Sequence, residues 1–263
     1  MIDSSNIFGV DVHKTKKFKS FVFDNRNFSI QDLVVQIEEL NKNKVDKNFK
    51  NRLFFECYNS NRIEGNTLSR HDTKLLWDDK IIPSDSSYND IVECLNLKAT
   101  INKYRKIDVN KVSLDLIKDI HSMIVSNLNI NSDFREEQVY ISYCLHVPPS
   151  ADKVIDLMNK AVDRFNSSNK NLIDVFMLKL DLVTIHPFMD GNGRTSRLLM
   201  NGLLEYLGYP RLIFKDADKK FYYKALEDAQ VKYKVDNWIR YCLILMKYNL
   251  VYLNDIDSRL IIV

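Results

Sequence analysis

Apolar residues recur at helical spacing along most of this chain. Leu33, Ile37 and Leu40 follow one another at i, i+4 and i+7, which places them on one face of an α-helix. The segment 171–184 is apolar nearly all round, and such a helix lies at the centre of a bundle. The same reasoning predicts further helices over 47–58, 70–77, 90–104, 113–125, 150–165, 194–207, 219–230 and 237–252.

Two segments have an extended pattern instead. Phe18, Phe21 and Phe23 indicate a short strand or hairpin near the N-terminus, and the stretch 140–147 reads as extended up to two consecutive prolines. No internal repeat and no long linker interrupts the helical pattern. We therefore predict a mainly α fold, a single helical bundle, preceded by an N-terminal extension of unknown role over residues 1–45.

The composition supports a helical globular protein. Of 263 residues, 45% are apolar and 28% are charged, and there are only 6 glycines and 5 prolines, which disfavours a turn-rich β-sandwich or barrel. The 38 basic residues against 35 acidic ones leave a net charge of +3. This balance gives no electrostatic reason to expect a nucleic-acid partner.

Targeting and membrane signals are weak. The first residues carry no basic segment followed by an apolar one, and the apolar run 241–246 is too short to cross a bilayer. The cysteines Cys57, Cys94, Cys144 and Cys242 are widely scattered, so neither a zinc site nor a disulfide framework is indicated. We expect a cytoplasmic protein with reduced thiols and no membrane partner.

The chemistry concentrates between the helices predicted over 171–184 and 194–207. Gly191 and Gly193 flank Asn192 immediately before a helix start, where converging backbone N–H groups and the helix dipole favour an anion. Arg194 and Arg197, at i and i+3, can face the same anion. We call these five residues the anion cradle, and two guanidinium groups suit a polyphosphate. A bare helix start with surface arginines is the alternative.

Two residues upstream of the cradle add reactive groups. Asp190 supplies a hard oxygen ligand suited to Mg²⁺, which completes its shell with phosphate oxygens and water. His186 stands at a helix break, where its imidazole can accept a proton from a hydroxyl. The spacing of the glycines matches neither a Walker A loop nor a dinucleotide-binding motif. The set predicts phosphoryl or nucleotidyl transfer.

Residues 186–197 match the signature of the Fic family, H-x-F-x-[DE]-G-N-G-R-x-x-R, at every specified position. The chain resembles Fic proteins more weakly over residues 60–246, and we expect a Fic-like catalytic domain over 46–252 and a tail over 253–263. Most Fic proteins transfer AMP from ATP to a hydroxyl of a target protein. The resemblance implies the following roles: His186 as general base, Asp190 holding Mg²⁺ on the α- and β-phosphates, Gly191, Asn192 and Gly193 as anion hole, Arg194 on the β-phosphate and Arg197 on the γ-phosphate. Doc-type relatives that phosphorylate their target carry Lys in place of Gly193.

A second motif lies upstream. The stretch 60–66 is similar to the inhibitory helix of self-restrained relatives, [ST]-x-x-x-E-[GN], with Ser60 and Glu64 at its fixed positions. The resemblance implies that Glu64 pairs with Arg197 and takes the place of the γ-phosphate. A solvated glutamate at a helix end is the alternative. In some relatives this glutamate also helps to remove AMP from the target.

Two softer resemblances concern the substrates. The extended stretch 140–147 resembles the β-hairpin flap that registers the target by strand addition, although Ser132 stands where many relatives have Gly in the preceding Gly-x-x-R. The stretch 221–230 resembles the helix that lines the adenine pocket. There, Tyr223 and Leu226 could pack on the base and Gln230 could bond its edge, and an ordinary core role is equally compatible.

These observations predict a protein adenylyltransferase restrained by Glu64. Its expected substrates are ATP, with Mg²⁺, and a protein bearing an acceptor hydroxyl; self-modification and a homodimer stay open. Three alternatives remain: removal of AMP, transfer of another phosphate-linked group, and nucleotide sensing without turnover. The isolated histidines, His121 among them, read as surface or core residues.

Overall fold

A computed structural model describes residues 12–25, 27–44, 46, 49–141 and 144–252, and within them the chain forms helices and turns without any β-strand. The prediction of a mainly α fold is confirmed. None of the described helices is both long and apolar enough to cross a membrane. The α-helices are α1 (Val12–Asn25), α2 (Ile30–Lys42), α3 (Phe49–Ile63), α4 (Arg70–Lys74), α5 (Tyr88–Lys103), α6 (Leu114–Ile124), α7 (Val154–Asn166), α8 (Leu172–Ile185), α9 (Asn192–Tyr206), α10 (Lys219–Gln230) and α11 (Val235–Val251).

Helix α8 lies at the centre of the bundle. Val175 and Phe176 have no exposed surface, and the helix packs against α7, α9 and α11. Asn171 caps its start by accepting hydrogen bonds from two N–H groups of the first turn. The helix ends at His186, whose backbone is left-handed, because Pro187 follows and disfavours a further helical residue. The continuous apolar pattern therefore places the start of the 186–197 segment at the core.

The N-terminal aromatic residues lie on a helix, so the predicted strand or hairpin is wrong. Phe18 and Phe21 are three residues apart, which puts both on one face of α1. Both rings contact Tyr248 of α11 edge to face, with centroids 5.1 Å and 5.2 Å away. Leu33 and Ile37 of α2 are fully buried, and α2 also packs on α11. A buried helical partner, which the local pattern does not reveal, decides the conformation of this region.

The β-hairpin flap expected at 140–147 is not formed in residues 138–141 and 144–150; residues 142 and 143 lie outside the described part. Side-chain hydrogen bonds, and not a backbone ladder, connect the residues before this stretch with those after it. Gln138 Nε2 donates to the carbonyl of Pro148 at 3.0 Å, and the adjacent prolines have no N–H to offer a partner strand. The described residues of the segment form no strand pairing, and the N–H of Cys144 donates to the carbonyl of Ile141 at 3.2 Å, which is a turn.

Candidate active site

The backbone between α8 and α9 turns sharply around two left-handed residues. His186 has φ 52° and Gly191 has φ 76°. A Cβ atom at Gly191 would meet Val125 Cγ1 at 3.1 Å and His121 Nε2 at 3.2 Å. Glycine is therefore required there both by conformation and by space.

The side chain of Asn192 holds this turn closed. Its Oδ1 accepts from the N–H of Phe188 at 2.9 Å, and its Nδ2 donates to the carbonyl of Phe188 at 2.8 Å. Phe188 has no exposed surface, so the clasp fixes the turn to the core. Because the Asn192 side chain is occupied in this way, its contribution to anion binding rests on the backbone N–H groups at the start of α9, which lack intrahelical acceptors.

His121 is a site residue that the sequence analysis set aside. Its ring stacks on Phe188 at 3.6 Å between centroids. Nε2 lies 2.9 Å from the carbonyl oxygen of Asp190, and Nδ1 lies 3.2 Å from that of Ser132. Burial lowers the pKa of His121, against the effect of these two carbonyls. Its position on the same face of α6 as Ile117 is the signal that could have marked it as a buried residue.

Arg197 is 2% exposed, and its Nε and Nη2 contact residues of α3 and the following turn, whereas its Nη1 is buried without a hydrogen-bond partner among the described residues. Its Nη2 lies 2.7 Å from Glu64 Oε1. Its Nε donates to Ser60 Oγ at 2.9 Å, and Nη2 also donates to the carbonyl of Ser60 at 2.9 Å. The structure thus brings Ser60 and Glu64 together with Arg197, which is far from both in the sequence.

Glu64 lies directly over the cradle. A Cβ atom at Gly193 would collide with Glu64 Oε1 and lie 2.9 Å from its Cδ. Burial alone would raise the pKa of the Glu64 carboxyl, but the positive charges of Arg197, Arg194 and Lys179 hold it below its usual value. The side chain is still 31% exposed, so this carboxylate lies between the cradle and the solvent.

Arg194 meets a carboxylate that the sequence analysis did not predict. Its Nη1 lies 2.7 Å from Glu93 Oε1 on α5, and its Nη2 lies 3.7 Å from Asp190 Oδ2. The other oxygen of Glu93 accepts from Asn66 Nδ2 at 2.8 Å. Both cradle arginines are therefore paired with carboxylates.

His186 is at the edge of this cluster. In the described part of the chain, its Nδ1 is buried without a hydrogen-bond partner. Burial lowers the pKa of His186, outweighing the opposite effects of the Val183 backbone carbonyl and of Glu64. The neutral imidazole is favoured, and this is the form that can accept a proton.

The three residues predicted to line the adenine pocket lie along α10. Tyr223 is 46% exposed, and its hydroxyl donates to the carbonyl of Ile63 at 3.3 Å. Gln230 Nε2 donates to Thr184 Oγ1 at 3.2 Å, whereas Leu226 is buried among core residues. Tyr223 and Gln230 thus approach the ends of α3 and α8, next to the cluster.

Comparison with known proteins agrees with this architecture. A family model described as Fic/DOC family matches residues 111–204. A protein adenylyltransferase Fic from Aedes aegypti is 36% identical over 181 residues, covering 65% of this chain and 36% of the relative. The chain spans less than half of the length of the curated relatives that it matches.

Solved structures share the fold. Fic-1 from C. elegans superposes with a TM-score of 0.75 at 21% identity, covering 93% of this chain and 73% of that one. An IbpAFic2 variant in complex with adenylylated Cdc42 gives a TM-score of 0.53 at 13% identity, covering 90% and 77%. With the family match and the curated relatives, the conclusion is that this chain contains a Fic/DOC-family domain over residues 111–204.

Proposed function

We propose that the protein is an adenylyltransferase that transfers AMP from ATP to a hydroxyl of a protein target and is restrained by Glu64. The observation that carries this proposal is the pair of buried arginines, Arg194 and Arg197, at the start of α9 beside His186. Relatives named protein adenylyltransferase support AMP as the transferred group. The complex of a structural neighbour with adenylylated Cdc42 supports a protein as acceptor.

The reaction exchanges a phosphoanhydride bond of ATP for a phosphoester bond to the target. The acceptor oxygen forms a bond to the α-phosphorus of ATP, the bond to the bridging oxygen breaks, and pyrophosphate leaves. The imidazole of His186 accepts the hydroxyl proton. Its lowered pKa suits this role, because most of the protein then carries a neutral ring near neutral pH. The arginines and the N–H groups of α9 stabilise the negative charge that shifts to the leaving group.

Asp190 fits the magnesium ion that such a reaction uses. Its Oδ1 accepts from the N–H of Gly191 at 2.5 Å, which orients the carboxylate, and the side chain is 60% exposed. In the described residues no cluster of three or more acidic, His or Cys side chains surrounds it. A single carboxylate suits Mg²⁺, which takes its other ligands from phosphates and water. The ion, when bound, would neutralise phosphate charge.

Restraint follows from competition for Arg197. The Glu64 carboxylate takes the guanidinium that the γ-phosphate needs. Opposite charges 4 Å apart attract by about 4 kcal/mol at an effective dielectric constant of ~20, before desolvation is counted. ATP must displace Glu64 or bind in an unproductive pose.

Tyr223 and Gln230 are proposed to contact the adenine, with Leu226 packing behind it.

The experiment compares the unmodified protein with three purified variants, each incubated with ATP, Mg²⁺ and a lysate of the source cell. Glu64→Gly is expected to attach AMP to itself or to a lysate protein, and Glu64→Gly/His186→Ala to attach none. Glu39→Gln, on the exposed face of α2, is the control and should behave like the unmodified protein.

Mass spectrometry of the product separates the alternatives. An added AMP supports the proposal, whereas an added phosphate or phosphocholine identifies a different transferase. ATP binding by Glu64→Gly without any product favours a sensor. Loss of AMP from a pre-modified target, seen only when Glu64 is present, identifies removal as the dominant reaction.

A further inference from the structure

Arg135 is a buried arginine whose hydrogen bonds converge on the catalytic turn. It is 3% exposed. Its Nε donates to the carbonyl of His186 at 2.8 Å, Nη2 donates to that of Ile185 at 3.4 Å, and its backbone N–H donates to that of Pro187 at 2.8 Å. One residue therefore holds three successive carbonyls around the proposed base.

The same guanidinium also reaches both ends of the segment 137–149, which contains the stretch predicted as a flap. Nη1 donates to the carbonyl of Glu137 at 2.8 Å, and Nη2 donates to the carbonyl of Pro149. Between these two anchors lie strongly exposed apolar side chains: Tyr140 is 77% and Leu145 is 75% exposed. The segment that presents them is thus tied to the catalytic turn through a single side chain.

Burial of the Arg135 side chain carries a free-energy cost that is high for a merely structural residue. Its side-chain bonds given by the structure all go to neutral carbonyl oxygens, and a buried charge without a counter-ion carries a desolvation cost. His186 is meanwhile held at φ 52°, a conformation that residues other than glycine rarely adopt. Three bonds to its neighbourhood provide the force that keeps it there.

We propose that Arg135 is a positioning residue that fixes the His186 imidazole relative to both ends of the segment 137–149. The inference rests on the proposed function and extends it, since it assigns the alignment of base and acceptor to one side chain. Arg135 does not contact the cradle in this arrangement, so nucleotide binding should not depend on it.

The test uses Arg135→Lys and Arg135→Gln in the active Glu64→Gly background. We expect kcat for AMP transfer to fall by about a hundredfold, because small misplacement of a catalytic group has effects of that size. The KM for the protein target should rise and the KM for ATP should stay within about twofold. Arg164→Gln is the matched control: Arg164 is 56% exposed and pairs with Asp181 of α8, and its loss should leave all constants unchanged.

A second measurement does not require turnover. Hydrogen exchange of the unmodified protein and its Arg135→Lys variant should show faster exchange in both 137–149 and 185–190, while 194–206 stays protected. A Glu64→Gly enzyme that transfers AMP equally well with Lys or Gln at 135 would overturn the inference and leave the proposed function intact. A Glu64→Gly protein without transfer would refute the proposed function, and exchange that rises in only one of the two segments would still refute the coupling.

Discussion

At the scale of single residues, Gly193 shows how closely Glu64 covers the cradle. A side chain at this position meets the carboxylate of Glu64 first, and the guanidinium of Arg197 follows at 3.0 Å from an added Cβ. The side chain of Glu64 is 31% exposed, so solvent lies on one side of it. A small side chain at 193 must therefore displace Glu64 from its ion pair.

Gly193→Ala should consequently destabilise the protein, and removal of Glu64 should relieve much of that loss. Because the two sites are in contact, we expect a coupling free energy of about 0.5–3 kcal/mol in a double-mutant cycle with Glu64→Gly. Chemical denaturation of the four proteins measures it. Additive effects of the two substitutions would show that Glu64 does not occupy the space above Gly193.

The ionisation of His186 predicts the pH dependence of transfer. Burial holds its pKa below the ordinary value of 6.5, so the imidazole stays neutral until the pH falls below that value. The rate of single-turnover AMP transfer by Glu64→Gly should be flat from pH 8 to about 6.5 and should decline only at lower pH. An acid limb with its midpoint above 6.5 would contradict burial of a neutral base.

Candidate site residues could be located from the sequence where a short motif contains them. His186, Asp190 and the cradle lie within twelve consecutive positions, and Glu64 belongs to a second short pattern. Glu93 is not predictable in this way, and for Arg135 the Gly-x-x-R pattern marks the residue without indicating its hydrogen-bond partners. Their partners come from distant helices and loops, and a glutamate or arginine in an isolated pattern reads as solvated.

At the scale of elements, helix α3 and the turn that follows it are anchored by contacts at two points. Glu56, Ser60 and Glu64 recur every four residues and so face one side. Glu56 is 5% exposed and binds Arg211 with both oxygens, at 2.5 Å and 2.9 Å. The position of Ser60 and Glu64 over Arg197 therefore depends on an ion pair two turns earlier.

Glu56→Gln should weaken this anchor. Breaking a buried ion pair on one side typically costs about 3–5 kcal/mol, and loosening α3 should also raise AMP transfer in the presence of Glu64. Denaturation and label incorporation measure the two effects. Asp156→Asn, which breaks an exposed pair with Lys160 on α7, should cost under about 1 kcal/mol and leave transfer unchanged. Lower stability without higher transfer would show that the lock does not depend on this anchor.

The type of most elements follows from apolar periodicity, and α8 and its neighbours were predicted for that reason. The two errors share a cause. The conformation of 18–23 is decided by Tyr248 of α11, and the stretch 140–147 lacks a strand partner in the described residues. An extended pattern predicts a strand only where a second strand is available.

At the scale of the whole molecule, the cradle lies where several helices come together. Helix α8 leads to His186, α9 begins at the proposed anion site, α3 leads to the proposed restraint Glu64, α5 carries Glu93, and α10 borders the proposed space for the nucleotide base. The proposed base, His186, follows α8, whereas the proposed lock, Glu64, follows α3 and pairs with Arg197 of the cradle. Activity and restraint are therefore separable by single substitutions.

The most direct measurement is the initial rate of AMP incorporation from labelled ATP by Glu64→Gly relative to the unmodified protein at equal concentration. Release of a lock worth a little over 1.4 kcal/mol predicts an increase of about tenfold or more. Equal rates, with both proteins folded and ATP bound, would contradict the claim that Glu64 holds Arg197 away from the triphosphate.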